Sequence, residues 1–225
     1  MKEVVILVPA RGGSQRLPGK NLKLLAGKSL IQRTAEFARE GAGDIPVYLS
    51  TDSPAIAEEG LVYGWKVPFL RPTHLATDQA TSVDVTLHFL DQLAQLDTKP
   101  EVLVLLQLTS PFRHSSLLRE TVHRMISDPS IPAMVAMKDL GRTSRSIFTI
   151  AEKGQAYSLS SDQRPLLTPN GALYAIRVDI FKKSRTFTPD GLFPVLLSEI
   201  ESIDIDTPFD WEVAEFVAAY WDKKK

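Results

Sequence analysis

The stretch Val4-Val5-Ile6-Leu7-Val8-Pro9-Ala10-Arg11-Gly12-Gly13-Ser14-Gln15-Arg16-Leu17-Pro18-Gly19-Lys20-Asn21 decides the fold. Val4 to Val8 is an unbroken apolar run, the pattern of a strand covered on both faces. Pro9 ends the run, and a glycine-rich basic turn follows. In an open parallel sheet, ligands sit just beyond the carboxyl ends of the strands. Gly12 and Gly13, with Ser14 beside them, let backbone N–H groups come close to an anion. Arg11, Arg16 and Lys20 add cations, and that mixture of donors suits phosphate oxygens. The turn is not a Walker P-loop, because Asn21 follows Gly19-Lys20, and it is not GxGxxG. A merely solvated turn fits less well, since cations gathered at one strand end repel one another unless an anion lies between them.

Outward from this junction, short β-rich runs alternate with helical patterns. Leu30, Thr34, Phe37, Ala38 and Gly41 follow helical spacing, and Val47 to Ser50 reads as a second strand. Ser53-Pro54 starts a helix as N-cap and first helical residue, and Gly64 stops it. Lys66 to Leu70 reads as a third strand. Thr81 to Leu96 is a helix with Val83, Leu87, Leu90 and Ala94 on one face and a capping box between Thr81 and Asp84. Val102 to Leu106 is the central strand, Ser115 to Ser127 a helix, Ala133 to Met137 a strand, and Asp210 to Tyr220 a closing helix. This alternation predicts a three-layer α/β/α, Rossmann-like architecture with a mostly parallel sheet. Between about 138 and 168 the pattern shortens, and Lys153-Gly154 signals a turn, which predicts a hairpin or small β-rich insertion.

Composition bounds the function. The 225 residues suit a single domain, 1–225, and 44% hydrophobic against 24% charged residues describes a globular chain. Lys and Arg (26) less Asp and Glu (27) gives −1, so no electrostatic reason points to nucleic acid or an anionic membrane. With no cysteine there are no disulfides, thiolate metal sites or cysteine nucleophile. No apolar stretch approaches the ~18 residues of a membrane span, and the expected setting is cytoplasmic. His74, His88, His114 and His123 lack the spacing of a zinc site, and Ser110 lacks a GxSxG context. Trp65, Trp211, Trp221, Phe112 and Phe193 read as packing residues.

Further motifs accompany the first. Ser50-Thr51-Asp52-Ser53, Arg71-Pro72 with Leu75-Ala76-Thr77-Asp78 and Thr81-Ser82, Leu106-Gln107-Leu108-Thr109-Ser110-Pro111-Phe112-Arg113, Pro169-Asn170-Gly171-Ala172-Leu173-Tyr174 and Ser202-Ile203-Asp204-Ile205-Asp206-Thr207 follow in order. Together with the basic turn they resemble the CMP-sialic acid synthetases (N-acylneuraminate cytidylyltransferases) and their relatives for bacterial nonulosonic acids. The resemblance implies a nucleotidyltransferase fold and transfer of CMP from CTP to the anomeric hydroxyl of a nonulosonic acid, releasing pyrophosphate. It further implies magnesium, a homodimer, Arg11 and Lys20 on the triphosphate, Asn21, Arg71 and Ser82 on the nucleoside, and Gln107 on the acceptor sugar.

The residues can be read for that task independently. Asp204 and Asp206 alternate on an expected strand and so share a face, where two carboxylates are costly without a cation between them. Magnesium takes one or two carboxylates with phosphate oxygens and water. Asp206 is either a ligand only or also the acceptor of the sugar hydroxyl proton. Arg164 is a candidate for the sugar carboxylate or an exposed loop charge, and Arg142 and Arg145 are candidates in trans, because in the relatives the insertion of one subunit reaches its neighbour's site. The shortened stretch around Arg164, Leu108 in place of a usual proline and Gln15 in place of a commoner lysine depart from the family pattern. Two rivals are a cytidylyltransferase for 3-deoxy-manno-octulosonate, whose turn shares an SxRLPGK-like stretch, and a CTP-binding protein of the same fold without turnover.

Overall fold

The computed structural model describes residues 4–143, 147–150, 155–158 and 165–223. The chain order is β1 (Val4–Pro9), β2 (Leu24–Leu25), β3 (Lys28–Ser29), α1 (Leu30–Ala42), β4 (Val47–Ser50), α2 (Pro54–Val62), a 3-10 turn at Thr73–Leu75, α3 (Ser82–Gln95), β5 (Val102–Leu105), α4 (Ser115–Ser127) and β6 (Ala133–Thr143). Then follow β7 (Phe148–Ile150), β8 (Ala156–Ser158), β9 (Pro165–Arg177), α5 (Val178–Ser184), β10 (Phe193–Leu196) and α6 (Pro208–Trp221). The main sheet runs β10-β6-β9-β5-β1-β4. It is parallel at β4/β1, β1/β5 and β6/β10, and β9 lies antiparallel between β5 and β6.

The apolar run of β1 feeds two cores. Val4, Ile6 and Val8 pack on one side with Phe37 of α1, Leu118 of α4 and Trp211 of α6. Val5 and Leu7 pack on the other with Phe89 of α3 and Phe181 of α5. Burying such side chains contributes ~1.5–3 kcal/mol each, which is why an unbroken run and not an alternating one marks a covered strand.

Local signals act where the sequence places them. The Ser53 side chain accepts from Ile56 N and Pro54 occupies the first turn of α2. Thr81 and Asp84 cap α3 reciprocally, and Thr207 with Asp210 does the same for α6. Four expectations need correction. The buried stripe of α3 is Val85, Thr86, Phe89, Leu90 and Leu93; of the expected face Leu90 is buried, Val83 and Leu87 pack half-buried against the same core, and Ala94 is exposed. Phe89, the largest of these, packs edge-on against Tyr48 at 5.4 Å and turns that stripe inward. Lys66 to Leu70 is no strand: Lys66 makes a single bridge to Tyr48, and Pro68, without an N–H, cannot extend it. Phe193 is 41% exposed on the edge strand β10. Asp204 and Asp206 lie in an extended segment before α6, because the N–H of Ile205 goes to Thr109 O and that of Asp206 to Asp210 Oδ2, leaving no ladder to join.

Within the stretch expected to form an insertion, β6 continues beyond Met137 and pairs with β9 through Lys138–Thr168, Asp139–Leu167 and Thr143–Pro165. β7 and β8 form a separate antiparallel hairpin. The Lys153-Gly154 turn lies outside the described residues.

One cation holds the interior together. Arg113 is fully buried, donates to Ala172 O at 3.0 Å and Thr34 Oγ1 at 2.8 Å, and lies 4.5 Å over the Phe37 ring. Burial lowers its pKa to about 9. It ties β9 to α1 through groups that would otherwise be buried without partners. Arg113→Met keeps most of the stem and removes every donor. It is expected to cost about 2–4 kcal/mol, read as a lower urea midpoint at unchanged m-value.

Candidate functional site

The basic turn leaves β1 and folds against the start of α2. Gly12 N donates to Asp52 Oδ1 at 2.9 Å. A Cβ at Gly12 would stand 3.0 Å from Ser53 Cβ, so the close approach of the two turns requires glycine. Asn21 is buried and donates to Arg11 O at 3.0 Å, which fixes the curve of the turn. Leu17, 8% exposed, anchors its far side.

The turn then meets the end of the chain. Lys20 Nζ donates to Ile205 O and to Asp206 Oδ1, both at 3.0 Å. Arg16 reaches Asp206 Oδ2 at 3.0 Å from a more exposed position. Ile205 is fully buried, while Asp204 and Asp206 on either side stay accessible. Ile205 N donates to Thr109 O at 2.8 Å, so the Gln107–Arg113 segment, the acidic segment and the basic turn share one wall.

Arg11, Ser14, Lys20, Asn21, Arg71, Ser82 and Gln107 line a single cleft of about 240 Å3. A larger hollow of about 640 Å3 beside the start of β4 contains none of them. Arg71 is buried, with Nε on Ser50 Oγ at 3.1 Å and Nη2 on Ser50 O. Burial lowers its pKa to about 10, opposed by Asp52 and assisted by Arg11. It is thus a positioned cation with guanidinium donors to spare, not a surface charge. Ser82 is the first residue of α3 and also faces the cleft.

The Gln107 side of the cleft is built on a bulge. Val135 pairs with Tyr174 and Met137 with Pro169, so Asn170 to Leu173 bow out opposite Ala136. Gly171 has φ +84, and a Cβ there would fall 2.5 Å from Gln107 Oε1. Asn170 donates to Ser202 Oγ at 3.0 Å, and Ser110 Oγ donates to Asn170 O at 3.3 Å. The motifs read separately from the sequence are therefore bonded to one another. Arg145 and Arg164 lie outside the described residues, as does the side chain of Arg142.

The two acidic residues differ in charge state. Asp206 is raised by burial but held below its ordinary value by Lys20 and Arg16. Asp204 is pushed above the usual carboxylate range, by loss of water around it first and by the charge of Asp206, against a hydrogen bond from Thr109 and the charge of Lys20. Among the described residues no group of three or more His, Asp or Glu side chains gathers as a metal cage. The pair nonetheless suits magnesium, which asks the protein for only one or two carboxylates, and the raised Asp204 is a carboxylate in need of a cation.

Two contacts were not visible in the sequence. Arg11 Nη2 donates to Asp78 Oδ1 across the cleft, and Asp52 holds Gly12. Both aspartates stand in motifs already quoted, but only the fold brings them to the basic turn.

A cytidylyltransferase family model matches residues 5–199, and the chain belongs to that family of nucleotidyltransferases. It is 34% identical over 219 residues to CMP-N,N'-diacetyllegionaminic acid synthase of Legionella pneumophila, covering 94% of each chain. It is 31% identical over 226 residues to pseudaminic acid cytidylyltransferase of Campylobacter jejuni, covering 96% of each. N-acylneuraminate cytidylyltransferase of Streptococcus agalactiae is 30% identical over 217 residues, covering 92% of this chain and 51% of that protein, so the chain spans about half its length. The fold resembles CMP:2-keto-3-deoxy-manno-octonic acid synthetase complexed with CTP, with TM-score 0.70, 21% identity and coverage of 97% of this chain and 99% of that one. No helix among the described residues is long and apolar enough to cross a membrane.

The charge states set opposite stability effects. Asp206, with its depressed pKa, stabilises the fold above about pH 4, and that contribution is lost as pH falls through its folded value. Asp204, with its raised pKa, favours the fold only below about pH 4, and that contribution is lost as pH rises through its folded value. In metal-free protein at pH 7, Asp204→Asn is expected to raise Tm and Asp206→Asn to lower it. Melts repeated near pH 4 should show the Asp204→Asn gain shrinking.

Proposed function

We propose that the chain transfers CMP from CTP to the anomeric hydroxyl of a nonulosonic acid and releases pyrophosphate. The supporting observation is the contact between Lys20, which lines the cleft, and Asp206, which ties the last motif to a cleft-lining side chain. Arg11, Lys20 and the backbone of Gly12, Gly13 and Ser14 take the triphosphate. Their charge is fixed where negative charge grows on the phosphoryl oxygens and the leaving pyrophosphate, and such preorganisation is the main source of rate in phosphoryl transfer. Asn21, Arg71 and Ser82 hold the nucleoside. Arg71 offers donors to the cytosine carbonyl edge from a buried, hydrogen-bonded position that costs nothing to organise at binding. Gln107, pressed against Gly171, contacts the acceptor sugar. Asp204 and Asp206 would hold magnesium, which supplies neutralising charge to the phosphates when bound. Asp206, kept ionised by Lys20 and Arg16, is either a metal ligand only or also the acceptor of the sugar hydroxyl proton.

A homodimer is part of this reading. An isolated two-stranded hairpin is marginal in water, and β7–β8 exposes Phe148 and Tyr157 (59% and 56%), so a partner subunit is the natural cover. Arg142, Arg145 and Arg164 are the candidates for the sugar carboxylate, and CTP as donor fits a cytoplasmic setting.

The test is incubation with CTP, Mg²⁺ and a panel of legionaminic, neuraminic and pseudaminic acids and the eight-carbon 3-deoxy-manno-octulosonate, reading pyrophosphate release and product mass. A CMP-nonulosonate is expected, and Lys20→Ala or Asp206→Ala should lower kcat/KM by about 10²-fold or more. Exclusive use of the eight-carbon sugar, or CTP binding without any product, would replace this reading with one of its rivals.

A further inference from the structure

We propose that Asp78 is the exchange partner of Arg11: it holds the guanidinium in the empty cleft, yields it to the incoming triphosphate and takes it back as pyrophosphate leaves. This rests on the CTP reading above. Arg11 Nη2 donates to Asp78 Oδ1, and the two side chains are 30% and 48% exposed. An ion pair this open to water is weakly bound, whereas a polyphosphate offers the same guanidinium several charged oxygens at once. The pair is therefore strong enough to compete with an anion and weak enough to lose to one that is otherwise anchored.

The placement of Asp78 supplies that second anchor. It sits between Leu75, whose carbonyl accepts from Arg71 at 3.5 Å, and the Thr81–Asp84 box that starts α3. Arg71 and Ser82, the nucleoside side of the cleft, thus flank the segment that carries it. A nucleotide that engages them brings its phosphates to Arg11 already paid for in positional entropy, and displaces Asp78. Pyrophosphate has no base or ribose and must displace Asp78 unaided. The same logic runs through the turn, where Gly12 N–H rests on Asp52 and Lys20 on Asp206, and among the described residues Asp78 is the carboxylate that answers Arg11. Asp78 is a positioning residue for product release.

The experiment is calorimetric titration of pyrophosphate and of CTP, each with Mg²⁺, into wild type, Asp78→Asn, Asp78→Ser, Asp78→Glu, Arg11→Met and Arg11→Met/Asp78→Asn, with thermal melts to establish folding. Asp78→Asn and Asp78→Ser are expected to bind pyrophosphate about 3- to 10-fold tighter, with a comparable gain for CTP. Asp78→Glu should return toward wild type, and the gain should vanish in the Arg11→Met background. Turnover by Asp78→Asn should show a correspondingly lower inhibition constant for pyrophosphate. If folded Asp78→Asn or Asp78→Ser binds pyrophosphate no tighter than wild type while Arg11→Met binds it more weakly, the exchange role is wrong and the triphosphate site stands. If Arg11→Met leaves CTP and pyrophosphate affinity unchanged, the assignment of the turn itself is wrong, and the exchange role falls with it.

Discussion

The ammonium of Lys20 organises this molecule's chemistry. It bonds at 3.0 Å to a backbone carbonyl, Ile205 O, and to the carboxylate of Asp206. The first of these fixes where the acidic segment runs, and the second fixes its charge. Lys20 thereby ties the turn after β1 to the segment before α6, which are distant in sequence and join no common strand, and Arg16 adds a second contact to Asp206. Thr109 completes the arrangement by accepting from Ile205 N at the end of the central strand. The basic turn that lines the cleft and the acidic segment before α6 are therefore joined through Lys20 and Thr109, both of them cleft-lining residues.

Charge balance explains much of the local geometry. Arg11, Lys20 and Gly12 N–H each meet a carboxylate, from Asp78, Asp206 and Asp52 in turn. Cations converging on a cleft repel one another, and carboxylates of the same chain relieve that strain until a ligand takes over. Asp204 shows the reverse condition. It carries a charge that its surroundings disfavour, and its neighbour of like sign adds to the cost.

The strands and caps were legible because each follows from a local rule. The apolar run Val4 to Val8, the Ser53-Pro54 start of α2 and the Thr81–Asp84 box need only neighbouring residues to be understood. The face of α3 was not legible, because Val83, Val85, Leu87 and Phe89 are all apolar and only the position of Tyr48 selects among them. The segment at Asp204 has the alternation of a strand, but its N–H groups go to Thr109 O and to the Asp210 side chain and not to a neighbouring strand, which only the fold decides. The basic turn and the acidic pair were readable as phosphate and cation chemistry from composition and spacing. The Arg11–Asp78 contact was not, since long-range pairing leaves no periodic trace.

The bulge in β9 carries a mechanical implication. Asn170 to Leu173 are the residues by which that strand leaves the ladder with β6, and the same strand runs on into the ribbon with Lys138 and Asp139. A regular ladder resists shear along its length, and an interruption in it is the place where shear is absorbed. Gly171 lies in that interruption, and a Cβ there would meet Gln107 Oε1. Gln107 thus occupies space that the bulge leaves open, so the shape of this part of the cleft follows from the bulge and not from a regular ladder.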